Sequence, residues 1–148
     1  MLSKTCKYAL RAIIYIAKNS ADGKKIRIKS ITEEIDVPAH FLAKILQNLV
    51  KDGVIQSTKG PSGGFYIDRP LAEIPLSEVV EVIEGKEYLN HCLLKNEPCD
   101  CQQSEGAKLC PLHEHFSEVR QEVKRFYQET TIQSVLESME LHGESIAL

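Results

Sequence analysis

Four cysteines crowd into nineteen residues of this chain, Cys92, Cys99, Cys101 and Cys110, and His113 follows closely. The gaps between these five are six, one, eight and two residues. Thiolates are soft ligands that suit iron–sulfur clusters and zinc. Four thiolates, or three with His113, would close a tetrahedral zinc site. The same four would hold a cluster without an outside ligand. A third chemistry is a thiol switch in which two of the cysteines form a disulfide. The residue types alone leave these alternatives open. Clustering of this kind in a reducing compartment points to metal or redox chemistry ahead of structural disulfides. The cytoplasm is the expected compartment. Lys4 and Arg11 interrupt the first apolar residues, so no signal peptide is expected, and no stretch approaches the ~20 apolar residues that span a bilayer. Cys6 stands apart and is expected as a small core residue. His91 and His115 are expected to be solvated. Cys110 and His113 could be offered as nucleophile and base, but nothing in the sequence supplies an oxyanion hole or a substrate pocket, so an enzyme is not expected.

The net charge of −3 conceals an uneven distribution. Residues 1–69 carry twelve Lys/Arg against six Asp/Glu, a balance of +6, while residues 70–148 carry six against fifteen, a balance of −9. A basic first half suits a polyanion such as nucleic acid, although solvated lysines would give the same count. The length of 148 residues allows one domain, or one small domain with an appendage, large enough for a core without disulfides. Trp is absent, so aliphatic residues must build most of that core.

The elements that would position these groups can be read from periodicity. Cys6, Leu10, Ile13, Ile14 and Ala17 recur at helical spacing and predict a helix over 3–19, with Ser3 as its cap. A turn at 21–23 and a short extended piece at 26–28 lead to a second helix over 29–35, which buries Ile31 and Ile35. After a turn at Asp36 and Val37, Pro38 opens a third helix over 38–52, and Gly53 stops it. Leu42, Ile45, Leu46 and Leu49 form its inner face. His40, Lys44, Gln47 and Lys51 form one polar stripe on its outer face. Two helices joined by a tight turn, with a polar outward stripe, make a helix-turn-helix.

Two strands follow, over 54–57 and 65–68. Between them Thr58-Lys59-Gly60-Pro61-Ser62-Gly63-Gly64 reads as a tight hairpin loop with a cation at its tip. A hairpin directly after a recognition helix is the wing of a winged helix. Lys59 could reach phosphate, and the glycines let backbone approach the duplex closely. No Gly-Lys-Ser/Thr follows, which excludes a phosphate-binding nucleotide loop. The expected duplex contacts are Arg27, Lys29, Ala39, His40, Phe41, Lys44, Gln47, Lys51, Lys59, Gly60 and Ser62.

A fourth helix is predicted over 75–84 from Leu76, Val79, Val80 and Ile83, with Gly85 as its stop. Periodicity returns at Pro111. Leu112, Phe116, Val119, Val123, Phe126 and Thr130 alternate four and three residues apart, a heptad seam in a helix to about residue 130. The core of residues 1–84 reads as already complete, so the seam is expected to meet a second copy of the chain. Thr131 would cap a last short helix with Ile132, Val135 and Leu136, and the tail from about Gly143 is expected to lack order. The fold class is therefore mainly α with a small β-hairpin wing, a winged helix-turn-helix followed by a long dimerisation helix. The expected division is a DNA-binding domain over 1–85, a cysteine-containing sensor loop over 86–110, and a dimerisation helix with tail over 111–148.

Tyr8-Ala9-Leu10-Arg11-Ala12, Phe41-Leu42-Ala43-Lys44-Ile45-Leu46 with Leu49, Gly60-Pro61-Ser62-Gly63-Gly64-Phe65 and Ile83-Glu84-Gly85 together resemble the bacterial winged-helix regulators that include IscR, NsrR and CymR. The resemblance runs over about residues 2–136. It implies a transcription regulator, expected to be a repressor, that binds double-stranded DNA as a homodimer on an inverted-repeat operator. It also implies a sensing loop between the fourth helix and the dimer helix. It favours an iron–sulfur cluster (2Fe-2S or 4Fe-4S) over zinc, held by Cys92, Cys110 and one or both of Cys99 and Cys101, with His113 as a further ligand. The family's cluster-free members leave a thiol switch, zinc or a partner protein as the alternative. Two positions depart from the cluster-bearing pattern. Ala43 stands where Glu is frequent, which implies a different base preference. Lys7 and Arg11 stand near where some members supply a ligand from the other subunit, so that ligand is absent here.

Overall fold

In the computed structural model, residues 2–20, 23–92, 94 and 112–141 are described, apart from the Glu114 side chain. The elements run α1 (Lys4–Asn19), α2 (Ile28–Ile35), α3 (Ala39–Lys51), β1 (Gln56–Thr58), β2 (Gly64–Tyr66), α4 (Leu76–Glu84), α5 (His113–Glu129) and α6 (Ile132–Leu141). Single 3-10 turns stand at Leu71–Glu73 and Tyr88–Asn90. This is a mainly helical winged-helix fold, as the sequence predicts.

Helix α1 is the hub and packs against α2, α3, α4 and α6. Its buried face is Cys6, Ala9, Ala12, Ile13, Ile16 and Ala17. Three alanines on that face let neighbouring axes approach at the short end of the usual 8–10 Å. The face is rotated slightly from the expected one, leaving Leu10 and Ile14 only partly buried. Ser3 caps the helix through Oγ, which accepts the Cys6 amide at 3.1 Å. Its own amide donates to Glu84 Oε1 at 2.8 Å, fastening the start of α1 to the end of α4.

Most predicted boundaries shift by one or two residues, for local reasons. Pro38 caps α3, its carbonyl accepting the Phe41 and Leu42 amides at 3.0 Å each. The expected strand from 54 begins at Gln56. The Val54 and Ile55 amides still bond the Leu49 carbonyl at 2.9 and 3.4 Å, and both side chains turn into the core. The two strands pair antiparallel with Gln56 opposite Tyr66 and Thr58 opposite Gly64, so residues 67 and 68 have no partner on β1. The extended piece at 26–28 reduces to one bridge, Ile26 to Phe65.

The core is not complete without the end of the chain, contrary to expectation. Ile132 is fully buried and belongs to the same core cluster as the inner faces of α1, α3 and α4, and Tyr127, Val135 and Leu136 pack against that cluster. The Ile132 amide donates to Ile74 O and the Leu76 amide to Thr130 O, each at 2.9 Å. Thr131 caps α6 as expected, and reciprocally: its Oγ1 accepts the Ser134 amide while Ser134 Oγ accepts the Thr131 amide.

Candidate nucleic-acid interface

Helix α3 buries Leu42, Ile45, Leu46 and Leu49 and turns the rest outward. Ala39, His40, Phe41, Lys44, Gln47 and Lys51 are all exposed along one side. Phe41 is 36% exposed, and its ring meets Tyr8 of α1 edge-to-face with centroids 6.0 Å apart. Arg11 also lies over that tyrosine, its guanidinium carbon 5.9 Å from the ring centre. The first turn of α3 is thus braced from α1.

The hairpin that follows α3 is held by contacts from the segment before α2. Ile26 and Phe65 exchange two backbone hydrogen bonds of 2.8 Å, which makes β2 the middle strand between β1 and residue 26. A Cβ on Gly64 would lie 2.7 Å from the Ile26 carbonyl oxygen, so only glycine permits this approach. Arg27, next along, donates from Nη2 to the Pro61 carbonyl at 2.6 Å. Lys25 sits over the Tyr66 ring at 5.7 Å. At the tip the Gly63 amide bonds Gly60 O at 2.9 Å, and Gly60 takes the left-handed φ of 105° that favours glycine. Lys59, Gly60, Pro61 and Ser62 are all exposed. Lys29, on the first turn of α2, lies 3.9 Å from Glu33, with both side chains well exposed. Such a pair is worth little and leaves the ammonium available.

Arg27 thus joins the α2 start to the hairpin tip, and all eleven expected duplex contacts lie on these two pieces and on the α3 stripe. Sequence reasoning missed the bracing. Tyr8 under Phe41 and Pro61 above Arg27 are pairings across 33 and 34 residues, and no local pattern announces them.

Cys92 follows the turn Tyr88–Asn90 and is partly exposed, and His113 is the first residue of α5. Cys99, Cys101 and Cys110 lie outside the described residues, and among the described residues no group of three or more His, Cys, Asp and Glu could hold a metal. The residues just before Cys92 are gripped by α5: Arg120 Nη2 donates to His91 O at 3.2 Å, and Lys124 Nζ donates to Asn90 Oδ1. The donor at the described edge of this segment is Cys92, a partly exposed residue that follows two residues tied to α5 and whose Sγ accepts the Leu94 amide at 3.4 Å; a thiol suits a thiolate-held metal or cluster in chemistry. Cys6 differs. It is fully buried, and burial together with the nearby Glu84 pushes its thiol up to about 12.

Much of the expected seam on α5 is exposed among the described residues. Leu112, Val119 and Phe126 are 40%, 50% and 56% exposed, with Phe116 and Val123 partly so. Helix α5 packs on α4 through its other side, where Tyr127 joins the core. No helix among the described residues is long and apolar enough to cross a membrane.

Residues 2–138 match the Rrf2 family, described as an iron-dependent transcriptional regulator. A protein of Aquifex aeolicus (strain VF5), provisionally named an HTH-type transcriptional regulator, is 31% identical over 143 residues, covering 96% of this chain and 95% of that protein. Among solved structures, an IscR of T. potens superposes with a TM-score of 0.76 at 18% identity, over 98% of this chain and 92% of that one. CymR, the global cysteine regulator of B. subtilis, gives 0.72 at 21% identity, over 91% and 95%. At these identities the structural likeness is one of fold. These relatives are regulators, not enzymes.

Proposed function

Because this chain belongs to the Rrf2 family of DNA-binding transcriptional regulators, we propose that it acts in the cytoplasm as a homodimeric repressor on an inverted-repeat operator. The observation that carries this is the exposed α3 stripe followed by a braced, Lys59-bearing hairpin. In this reading His40, Phe41, Lys44 and Gln47 meet base edges in the major groove. Arg27, Lys29, Lys51, Lys59 and the backbone near Ala39, Gly60 and Ser62 meet phosphate and sugar. The exposed seam of α5 pairs two chains, which sets half-sites about one helical turn apart. Residues 1–85 read the operator, residues 86–110 sense, and residues 111–148 dimerise.

The signal we assign to this regulator is the state of an iron–sulfur cluster, 2Fe-2S or 4Fe-4S. Cys92 and Cys110 would hold it with one or both of Cys99 and Cys101, and His113 would be a further ligand. Bound there, a cluster supplies sensitivity to oxygen, nitric oxide and iron supply. The chain's own part is mechanical. Arg120 and Lys124 tie residues 90 and 91 to α5. An ordered cysteine segment and a loose one would therefore bias the placement of α4, and with it the reading helices, on the dimer axis.

Gel shifts against promoter fragments of the source genome, with protein before and after anaerobic reconstitution with iron and sulfide, test both parts. Retarded fragments carrying an inverted repeat support the regulator. Visible charge-transfer absorption, abolished by Cys92→Ala and by Cys110→Ala, supports the cluster. A colourless protein holding one zinc per chain would replace the cluster with the zinc reading, and no retarded fragment in either form would remove the regulator itself.

A further inference from the structure

A cavity of about 170 Å³ opens where α4, the turn after it and α5 meet, directly before the cysteine-bearing segment. Its wall is rich in hydrogen-bond donors: Lys86, Lys124, Tyr88, Tyr127, Asn90 and Gln128. Burial first, and then the neighbouring Glu84 and Cys6, raise both tyrosine hydroxyls above their ordinary range, so they stay protonated. Two of the acids nearby are occupied by donors, and one, Glu81, stands on the same lining as two lysines. Glu84 takes the Ser3 amide, Glu87 takes the Asn90 side-chain amide at 2.7 Å, and Glu81 is an exposed residue of the lining. Lys124 is only half exposed, and its hydrogen-bond acceptor is the neutral Asn90 amide. Among the described residues neither Lys124 nor Lys86 pairs with a carboxylate.

A half-buried ammonium held by a neutral amide gains more from an anion, because the full negative charge adds a Coulomb attraction that the amide dipole does not supply, and partial burial screens it less than bulk water would. The volume limits what the anion can be. Pockets for drug-sized ligands begin near 300 Å³. At roughly 30 Å³ per water, this cavity holds about five or six waters, or one small metabolite. We propose that it is an effector site for a small organic carboxylate, whose oxygens take Lys124 and the two tyrosine hydroxyls. Occupancy would draw Lys124 off Asn90 and so loosen or reset the turn that leads into Cys92. The site stands apart from any metal and is read without DNA, so its failure and the failure of the regulator reading are distinguishable.

The experiment is an amide NMR titration of the full chain with succinate, with inorganic phosphate and sodium chloride in parallel. Succinate should give saturable shifts at Tyr88, Asn90, Lys124 and Gln128 that chloride does not reproduce. Lys124→Met should raise the half-saturation concentration at least about tenfold, the loss of one charge-assisted bond. Lys86→Met, at an exposed position, should raise it several-fold without disturbing the fold. Tighter binding of phosphate than succinate would overturn the carboxylate assignment in favour of a phosphate-bearing ligand. Shifts that are absent for both anions, or unchanged in the Lys124→Met chain, would overturn the site.

Discussion

Arg27 donates a hydrogen bond of 2.6 Å to the carbonyl oxygen of Pro61, linking the cap residue of α2 to the tip of the hairpin. The same arginine is a natural phosphate ligand by sequence alone. The geometry gives it a second task, which is to hold the hairpin tip that carries Lys59 against the start of α2. A double-mutant cycle separates the two tasks. Lys59→Ala should lower the salt slope of DNA binding by about one unit. With both tasks, Arg27→Ala should lower affinity and take about one further unit of slope, so the double variant should lose about two. The two affinity losses should also couple by at least ~0.5 kcal/mol, because Arg27 holds the hairpin that carries Lys59. Strictly additive affinities would leave Arg27 a phosphate contact alone, and an unchanged slope would leave it the bracing task alone.

The α5 seam predicts a dimer that one charge can break. Val119 and Phe126 are half exposed in the single chain, an apolar strip that a soluble monomer avoids. Val123→Glu should place a carboxylate in that strip, yield a monomer mass by light scattering at micromolar concentration, and abolish binding to an inverted repeat. A dimer mass for this variant would mean the chains pair elsewhere.

Ile132 predicts that the C-terminal helix is structural for the DNA-binding half. It is fully buried beneath α1, and its amide bonds Ile74. Ile132→Ala should cost about 2–5 kcal/mol, the usual range for emptying such a site. Urea denaturation followed by circular dichroism measures it. A loss under about 1 kcal/mol would show that the core closes without α6.

Cys6 predicts an alkaline limit to stability. Its thiol is raised in the folded chain from the ordinary 9.0 to about 12. The folded state therefore keeps a proton that the unfolded state releases. The associated stability is whole below about pH 9 and is lost as pH rises towards 12, at up to about 1.4 kcal/mol per pH unit. Tyrosines and lysines titrate in the same range, so the measurement is the difference between wild type and Cys6→Ala in denaturation midpoint from pH 8 upward. That difference should shrink with pH, and a constant difference would sink the assignment. By the same burial, Cys6 should resist alkylation in the native chain at pH 8.

The helices and the hairpin were legible because they are local. Helical spacing at 42, 45, 46 and 49, proline and glycine at the ends, and a glycine-rich loop after two helices each act within a few residues, where steric and capping preferences dominate. So the polar stripe of α3, Lys59 at the hairpin tip and the apolar seam of α5 could all be named from the chain alone. Where the register was off, another demand had overridden the strand preference: Val54 and Ile55 are a fair strand start, yet the helix-end carbonyl of Leu49 takes their amides and the core takes their side chains. What the sequence could not contain is which distant groups would meet. Tyr8 under Phe41, Arg27 on Pro61, Lys124 on Asn90 and Ile132 in the core of a domain begun more than a hundred residues earlier are unions of separate elements. Each follows from how amphipathic faces bury against one another, a minimum of the whole packed chain that no window of residues expresses.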